Sequence, residues 1–159
     1  MSLEYGWAPS HQRVYADKPV ARGSRISTIG GMSINGIETA MCFEGTLNTV
    51  VFLYFIEHFL VPVLTSKHVV VMDNASVHKN TDVLEMIENT GASLIYLPPY
   101  SPEFNPIEMA WSKLKQYLRK TKARTKDALY DAIARGLKLI TSDNAMAWVQ
   151  HAGYIRNQM

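Results

Sequence analysis

The run of β-branched residues Val69, Val70 and Val71 restricts the possible fold more than any other feature of the chain. Such a run predicts a buried strand of the kind found in α/β proteins. The strand ends at Asp73, where its carboxyl end meets solvent. Because α/β proteins bind ligands at the carboxyl ends of their strands, Asp73 is the first candidate functional residue.

A second apolar run, Leu94 to Leu97, predicts another strand, which stops at two prolines. The chain then enters a predicted helix from about Asn105 to Arg119, which carries Glu108 in its first turn. A strand end and a helix start thus each contribute one carboxylate. We therefore expect Asp73 and Glu108 to face one another across a shallow site.

The first half of the chain predicts a hairpin followed by a helix. Two apolar runs, Arg25 to Ser33 and Ile37 to Phe43, flank Asn35-Gly36, which is a strong signal for a tight turn between antiparallel strands. The segment from Thr49 to Leu60 is apolar almost all round and follows Asn48, a suitable N-cap. It predicts a helix packed against a sheet.

The other predicted elements complete an α/β order. A short strand is expected at residues 13–16, and helices at residues 81–89, 126–140 and 143–151. The helix at 81–89 should bury four apolar residues, Val83, Leu84, Met86 and Ile87. The order predicts a mixed sheet flanked by helices, and an RNase H-like fold is one candidate among several that are compatible with it.

Composition indicates one globular domain covering residues 1–159, of which 47% are hydrophobic. Glu57, His58 and Pro62 interrupt the longest apolar stretch, so no membrane span is predicted. The N-terminus lacks the pattern of an export signal. A single cysteine, Cys42, allows no internal disulfide and fits a reducing compartment, so a cytoplasmic location is expected.

The formal net charge of +2 hides an uneven distribution. Seven of the sixteen basic residues fall between positions 113 and 126 with no acid among them, and the rest of the chain sums to −5. This segment indicates a polyanionic partner, although a solvated helix face followed by a loop would explain it equally well. The seven residues that would contact such a partner are Lys113, Lys115, Arg119, Lys120, Lys122, Arg124 and Lys126.

The helix that carries Glu108 has two distinct stripes. Apolar residues recur at helical spacing and predict the buried face, namely Ile107, Trp111, Leu114 and Leu118. Glu108, Ser112, Lys115 and Arg119 recur at the same intervals and predict an adjacent polar face. An anionic backbone lying over a metal bound at Glu108 would meet Lys115 and Arg119 next. Trp111 and Trp148 fit inward-facing positions better than positions for stacking on bases.

Two carboxylates suit a hard divalent cation such as Mg²⁺, which prefers oxygen ligands. The acids alone are weak evidence, because an Asp after a strand is often a turn former and a Glu near a helix start often interacts with the helix dipole. On spacing alone the structural interpretation is the stronger one.

The residues between the two acids change this balance. MDNASVHKN (residues 72–80) and LPPYSPEFNPIEMAW (residues 97–111) closely resemble the second-acid and third-acid motifs of DDE transposases of the mariner superfamily and its bacterial insertion-sequence relatives. The two acids are separated by 34 residues, as in that family, and YGWAP at residues 5–9 resembles the segment after the first catalytic strand. The resemblance extends over essentially the whole chain.

The resemblance implies an RNase H-like fold in which three carboxylates hold two Mg²⁺ or Mn²⁺ ions. These ions would support cleavage of DNA at transposon ends and strand transfer into target DNA, within a homodimeric complex in the bacterial nucleoid. Asp73 and Glu108 match the second and third acids. Four further motif positions would shape the site: Asn74, His78, Tyr100 and Asn105. For His78, a capping or packing role is the more common alternative.

The chain departs from this pattern at its N-terminus. Only Glu4 and Asp17 precede the hairpin, and neither ends an apolar run, so the first catalytic Asp and its central strand are expected to be absent from this chain. We expect an N-terminally truncated domain that is inactive alone. Its empty strand slot should be filled by the N-terminal segment or by a second chain, or the hairpin should close onto the Asp73 strand.

Two other functions remain open from the sequence. One is a non-catalytic DNA-binding or oligomerising remnant of a transposase, which the missing acid favours. The other is a general RNase H-like nuclease without strand transfer, which the PPYSPEFNPIE loop disfavours.

Overall fold

A computed structural model describes residues 25–155 and the backbone of residues 5–7 and 13–15. The chain forms two compact units. The first unit contains the described residues up to 30 together with residues 39–102, and the second contains residues 31–38 together with residues 103–155. The prediction of a single truncated domain stays a prediction.

The first sheet is antiparallel and has four strands in the order β2-β1-β4-β3. Its strands are β1 (Tyr5–Trp7), β2 (Arg13–Tyr15), β3 (Ile26–Ser33) and β4 (Gly36–Glu44). The predicted hairpin is confirmed: β3 and β4 are joined at Ile34 and Asn35, and Gly36 has a φ of +117°, a conformation that favours glycine.

The second sheet is parallel and has two strands, β5 (Val69–Met72) and β6 (Ser93–Tyr96). In its register Val69 pairs with Ser93 and Met72 with Tyr96. The described strands thus form two small sheets where the sequence predicts one mixed sheet. The α/β class is confirmed, whereas the RNase H-like arrangement and the absent central strand stay predictions.

The prediction that β5 is a buried strand is wrong. Val69 is 57% exposed, Val70 and Val71 are half-buried, and only Met72 is buried. The reason is that β6 is the one strand paired with β5 in the described part of the chain, so β5 is an edge strand there. The N-terminal strand β1 pairs with β4 at the other sheet.

Two helices pack on the strands of the first unit. Helix α1 (Thr49–Phe55) begins at Asn48, whose side chain accepts a 2.9 Å hydrogen bond from the Val51 amide as predicted, and a π-helical turn continues it over Ile56–Leu60. Helix α2 (Thr81–Glu88) buries Val83 and Ile87. The prediction of a buried Leu84 is wrong, since that side chain is 36% exposed. The core of this unit is centred on large apolar side chains, including Met41, Phe43, Phe52, Ile56 and Ile87.

The second unit contains three helices, α3 (Ile107–Thr121), α4 (Lys126–Lys138) and α5 (Ser142–His151). All three were predicted, with boundaries that differ by at most two residues. Thr125 caps α4, and Thr141 forms a capping box with Asn144 at the start of α5. The buried side of these helices includes Leu114, Tyr130, Ile133, Leu137 and Ala145. No helix in the described residues is long and apolar enough to cross a membrane.

Candidate functional site

Asp73 directly follows β5, at the end of the strand where the sequence predicts a ligand-binding residue. The strand end is held by the Leu97 amide, which donates a 2.7 Å hydrogen bond to the Met72 carbonyl. The Asp73 Oδ1 atom accepts a 3.1 Å hydrogen bond from the Ala75 amide, which forms a tight local turn. The Asp73 side chain is 48% exposed, so its carboxylate is accessible from solvent.

His78 forms the second contact of this carboxylate. The short 3₁₀ turn Ser76–His78 brings the imidazole Nδ1 atom to 2.6 Å from Asp73 Oδ1. The His78 side chain is only 16% exposed, and its ring lies 4.6 Å from the ring of Phe52 between centroids. The Tyr96 hydroxyl donates a hydrogen bond to the His78 carbonyl, and burial raises the pKa of this tyrosine. Two of the predicted site residues, Asp73 and His78, are therefore in direct contact.

The other predicted residues of the first unit lie on the loops next to this pair. Asn74 follows Asp73 and is half-buried. Tyr100 has a fully exposed side chain and a φ of +57°, the left-handed conformation that is costly for residues other than glycine. Its neighbour Ser101 donates a 3.2 Å hydrogen bond to the Pro99 carbonyl. Tyr100 therefore projects into solvent from a constrained turn.

Glu108 is the second residue of α3, and Asn105 lies just before this helix in the second unit. The Asn105 carbonyl accepts a 3.1 Å hydrogen bond from the Glu108 amide, which connects the preceding loop to the first turn of the helix. The Glu108 side chain is exposed, so its carboxylate is accessible from solvent. A carboxylate in a first helical turn is also favoured by the positive end of the helix dipole.

The two predicted stripes of α3 are confirmed. Leu114 is buried, and the other three apolar residues of the stripe are half-buried. The polar stripe is exposed throughout, at Glu108, Ser112, Lys115 and Arg119. One face of α3 thus presents a carboxylate and two cations to solvent.

The seven basic residues differ in their surroundings. Five of them are exposed: Lys115, Arg119, Lys120, Lys122 and Arg124. Lys126 is half-buried at the start of α4. The Lys113 ammonium group donates a 2.9 Å hydrogen bond to the Leu139 carbonyl and a 2.6 Å one to Asn144 Oδ1. Lys113 therefore ties α3 to the end of α4 and the start of α5.

Two features of the second unit escaped the sequence prediction. One is this structural role of Lys113, which no local pattern distinguishes from the neighbouring cations. The other is Tyr154, whose hydroxyl donates a hydrogen bond to the Phe104 carbonyl just before α3 and whose pKa is raised by burial. The two residues are 50 positions apart. No sequence signal connects residues at that separation.

The donor chemistry at Asp73 fits a hard divalent cation. Its carboxylate is half-exposed, and both hydrogen bonds described above fall on Oδ1, so Oδ2 is the oxygen left for a ligand. Glu108 offers a second exposed carboxylate on the other unit. Residues 25–155 contain no cluster of three or more His, Cys, Asp or Glu side chains that could hold a metal ion. The convergence of Asp73 and Glu108 stays a prediction.

The family of the chain follows from its sequence profile. The profile described as DDE superfamily endonuclease matches residues 1–130, a range that includes Asp73, Glu108 and both motifs around them. The chain belongs to the DDE superfamily endonuclease family. No curated protein matches this endonuclease-family chain significantly.

The fold resembles that of a solved structure, and two further structures give weaker matches. The Mos1 strand transfer complex matches with a TM-score of 0.68 at 14% sequence identity, over 89% of this chain and 44% of the Mos1 chain. The Mos1 mariner paired end complex with Mn matches with a TM-score of 0.47, and a pre-cleavage Mos1 transpososome with 0.44, each at 14% identity over 94% of this chain and 50% of that one. The present chain thus spans half or less of the length of the Mos1 chains. The match with the TM-score of 0.68 indicates a shared fold.

Proposed function

We propose that this chain is part of the catalytic domain of a DDE transposase, of the mariner-like bacterial insertion-sequence group. Its substrate would be DNA at transposon ends, where it would contribute to phosphodiester cleavage and strand transfer into target DNA. The observation that carries the proposal is the family match across residues 1–130, which includes both predicted acids in their motifs. A homodimer acting in the nucleoid belongs to the same proposal.

Asp73 and Glu108 are the residues proposed to hold the metal. Two Mg²⁺ or Mn²⁺ ions would supply activation of the attacking oxygen and stabilisation of the leaving oxygen. The exposed carboxylates of both residues support this assignment, since hard cations bind oxygen ligands. Asn74, His78, Tyr100 and Asn105 are proposed to shape the loops that carry the two acids.

The cations of α3 are proposed to bind the DNA backbone. Lys115 and Arg119 are exposed on the same face as Glu108, about two and three turns farther along the helix. Together with Lys120, Lys122 and Arg124 they form an exposed basic surface without an acid between positions 113 and 126. Such contacts give affinity for phosphates that does not depend on base sequence.

We also propose that the 159-residue chain does not cleave DNA at a normal rate alone. Glu4 and Asp17, the acids that precede the hairpin, lie outside the described residues, and neither ends an apolar run. A third carboxylate would then have to come from elsewhere for the site to hold two ions.

Iron-directed protein cleavage tests whether Asp73 and Glu108 share an ion. Fe²⁺ replaces Mg²⁺, and ascorbate with peroxide then generates radicals that cut the backbone near the bound iron. We expect cuts near both residue 73 and residue 108, competed by excess Mg²⁺ and reduced at both places in Asp73→Asn. The matched control is Glu85→Gln, which removes an exposed acid of α2 in the same unit as Asp73.

Cuts near only one of the two acids, or cuts that persist at both places in Asp73→Asn, would refute the shared site. Retention of DNA binding together with such a result would favour the alternative function, a non-catalytic DNA-binding remnant of a transposase.

A further inference from the structure

The hydrogen-bond partners of His78 define which of its ring nitrogens carries a proton. Nδ1 lies 2.6 Å from Asp73 Oδ1 and 3.3 Å from the Asp73 carbonyl oxygen. A carboxylate oxygen and a carbonyl oxygen are both acceptors, so Nδ1 must be the donor. The Nδ1 atom of His78 therefore carries a proton.

We propose that His78 is a positioning residue that fixes the Asp73 carboxylate and leaves Oδ2 as its one cation-binding oxygen. This inference rests on the proposed function, since it assigns a role in the same site. Oδ1 already accepts hydrogen bonds from the Ala75 amide and from His78. With both lone pairs of Oδ1 engaged, Asp73 binds a cation through Oδ2 in a monodentate manner.

The surroundings of His78 restrain the ring that makes this hydrogen bond. Phe52 packs against the imidazole with a centroid separation of 4.6 Å and an interplanar angle of 32°. The Tyr96 hydroxyl holds the backbone carbonyl of His78, and Tyr96 itself ends β6, the strand paired with β5. His78 is thus anchored to the helix α1 and to the sheet that positions Asp73.

A packing role and a positioning role for His78 predict that different substitutions of this residue preserve the function of the site. Packing against Phe52 needs only an aromatic ring, so His78→Phe should then be harmless. Positioning needs a donor near Nδ1, which the side-chain amide of asparagine can supply and phenylalanine cannot. The pair His78→Phe and His78→Asn therefore separates the two roles.

The first readout is the protonation of the ring nitrogens in the full chain, measured by long-range ¹H–¹⁵N correlation spectra. We expect the His78 Nδ1 atom to carry a proton, and a spectrum with an unprotonated Nδ1 overturns the proposal. This measurement does not depend on metal binding.

The second readout is the affinity of the full chain for Mn²⁺, measured by water proton relaxation. Loss of an outer hydrogen-bond partner of a metal ligand typically weakens metal binding 10–100-fold. We expect His78→Phe to bind Mn²⁺ at least about 10-fold more weakly, and His78→Asn to recover most of this loss. Circular dichroism verifies that both variants fold.

The outcomes distinguish this inference from the proposed function. If Asp73→Asn abolishes Mn²⁺ binding while His78→Phe binds as the parent does, His78 has only a packing role and the inference is wrong. If Mn²⁺ binds equally well to Asp73→Asn, the ion does not use Asp73 and the proposed site itself is wrong.

Discussion

Replacing Gly136 with alanine tests how closely α4 approaches α3, the helix that carries Glu108. A Cβ atom at Gly136 would lie 2.5 Å from Leu114 Cδ1 and 2.9 Å from Tyr117 Cδ1. Non-bonded carbon atoms prefer separations of about 3.5–4.0 Å, so the Leu114 methyl group would have to move by roughly 1 Å. Leu114 is buried in the second unit, and little free space is available for this movement.

Two effects of opposite sign determine the stability of Gly136→Ala. Alanine is favoured over glycine inside a helix by about 0.8–1.0 kcal/mol. Overpacking a buried interface costs about 1–3 kcal/mol. Because both contacts are shorter than ordinary packing allows, we expect the steric cost to dominate and the variant to be destabilised by about 1 kcal/mol. In a chain of this size the melting temperature would then fall by roughly 2–4 °C.

A double-mutant cycle with Leu114→Ala identifies the cause. Thermal and urea unfolding, followed by circular dichroism, would be measured for the parent, both single variants and the double variant. In the Leu114→Ala background the shorter contact is removed and only the 2.9 Å contact with Tyr117 remains, so Gly136→Ala should destabilise this background less than it destabilises the parent. If Gly136→Ala alone were more stable than the parent, the close approach of α3 and α4 would be refuted, because helix propensity would then decide the result.

Burial raises the pKa of the Cys42 thiol from 9.0 to about 11, so the folded state holds this proton more tightly than the unfolded chain does. The resulting stabilisation is complete below the unfolded pKa, falls as the pH rises towards the folded value, and should have decreased by about 1.4 kcal/mol at about pH 10. Urea unfolding of the parent and of Cys42→Ala measures this effect, and an equal pH dependence of the two proteins would contradict it. In DNA binding, Lys115→Ala and Arg119→Ala should each reduce the slope of log affinity against log salt by about one. Lys113→Met should lower the stability of the fold and change this slope least, because the Lys113 ammonium group already binds Leu139 and Asn144. Equal slopes for all three variants would show that the exposed cations do not contact phosphate. In a Mg²⁺-dependent nicking assay the purified chain should leave supercoiled DNA intact, and efficient nicking that is lost in Asp73→Asn would show that the chain contains a complete site.

Local patterns predicted much of the secondary structure and the surface of α3. Asn35-Gly36 predicted the hairpin because its turn needs a backbone conformation that glycine adopts readily. Asn48 predicted the start of α1 because its side chain satisfies a free helical amide. The two stripes of α3 followed from helical periodicity, which depends only on spacing along the chain.

Other features depended on which residues become neighbours in space. A run of valines predicted a buried strand, but the exposure of β5 depends on how many strands pair with it. Leu84 fits the apolar pattern of α2 and is nevertheless 36% exposed, because burial requires an opposing surface. Pairing of His78 with Asp73 required the 3₁₀ turn that reverses the chain between them.

The sequence by itself determined the family, through motifs whose residues and spacing are local properties of the chain. The tertiary structure alone decided which of the predicted residues interact. It gave Lys113 a structural role among seven similar cations, and it gave His78 a carboxylate partner rather than only a packing position. The physical reason is that hydrogen bonds and burial depend on distances between side chains, and folding sets these distances through contacts that sequence spacing does not encode.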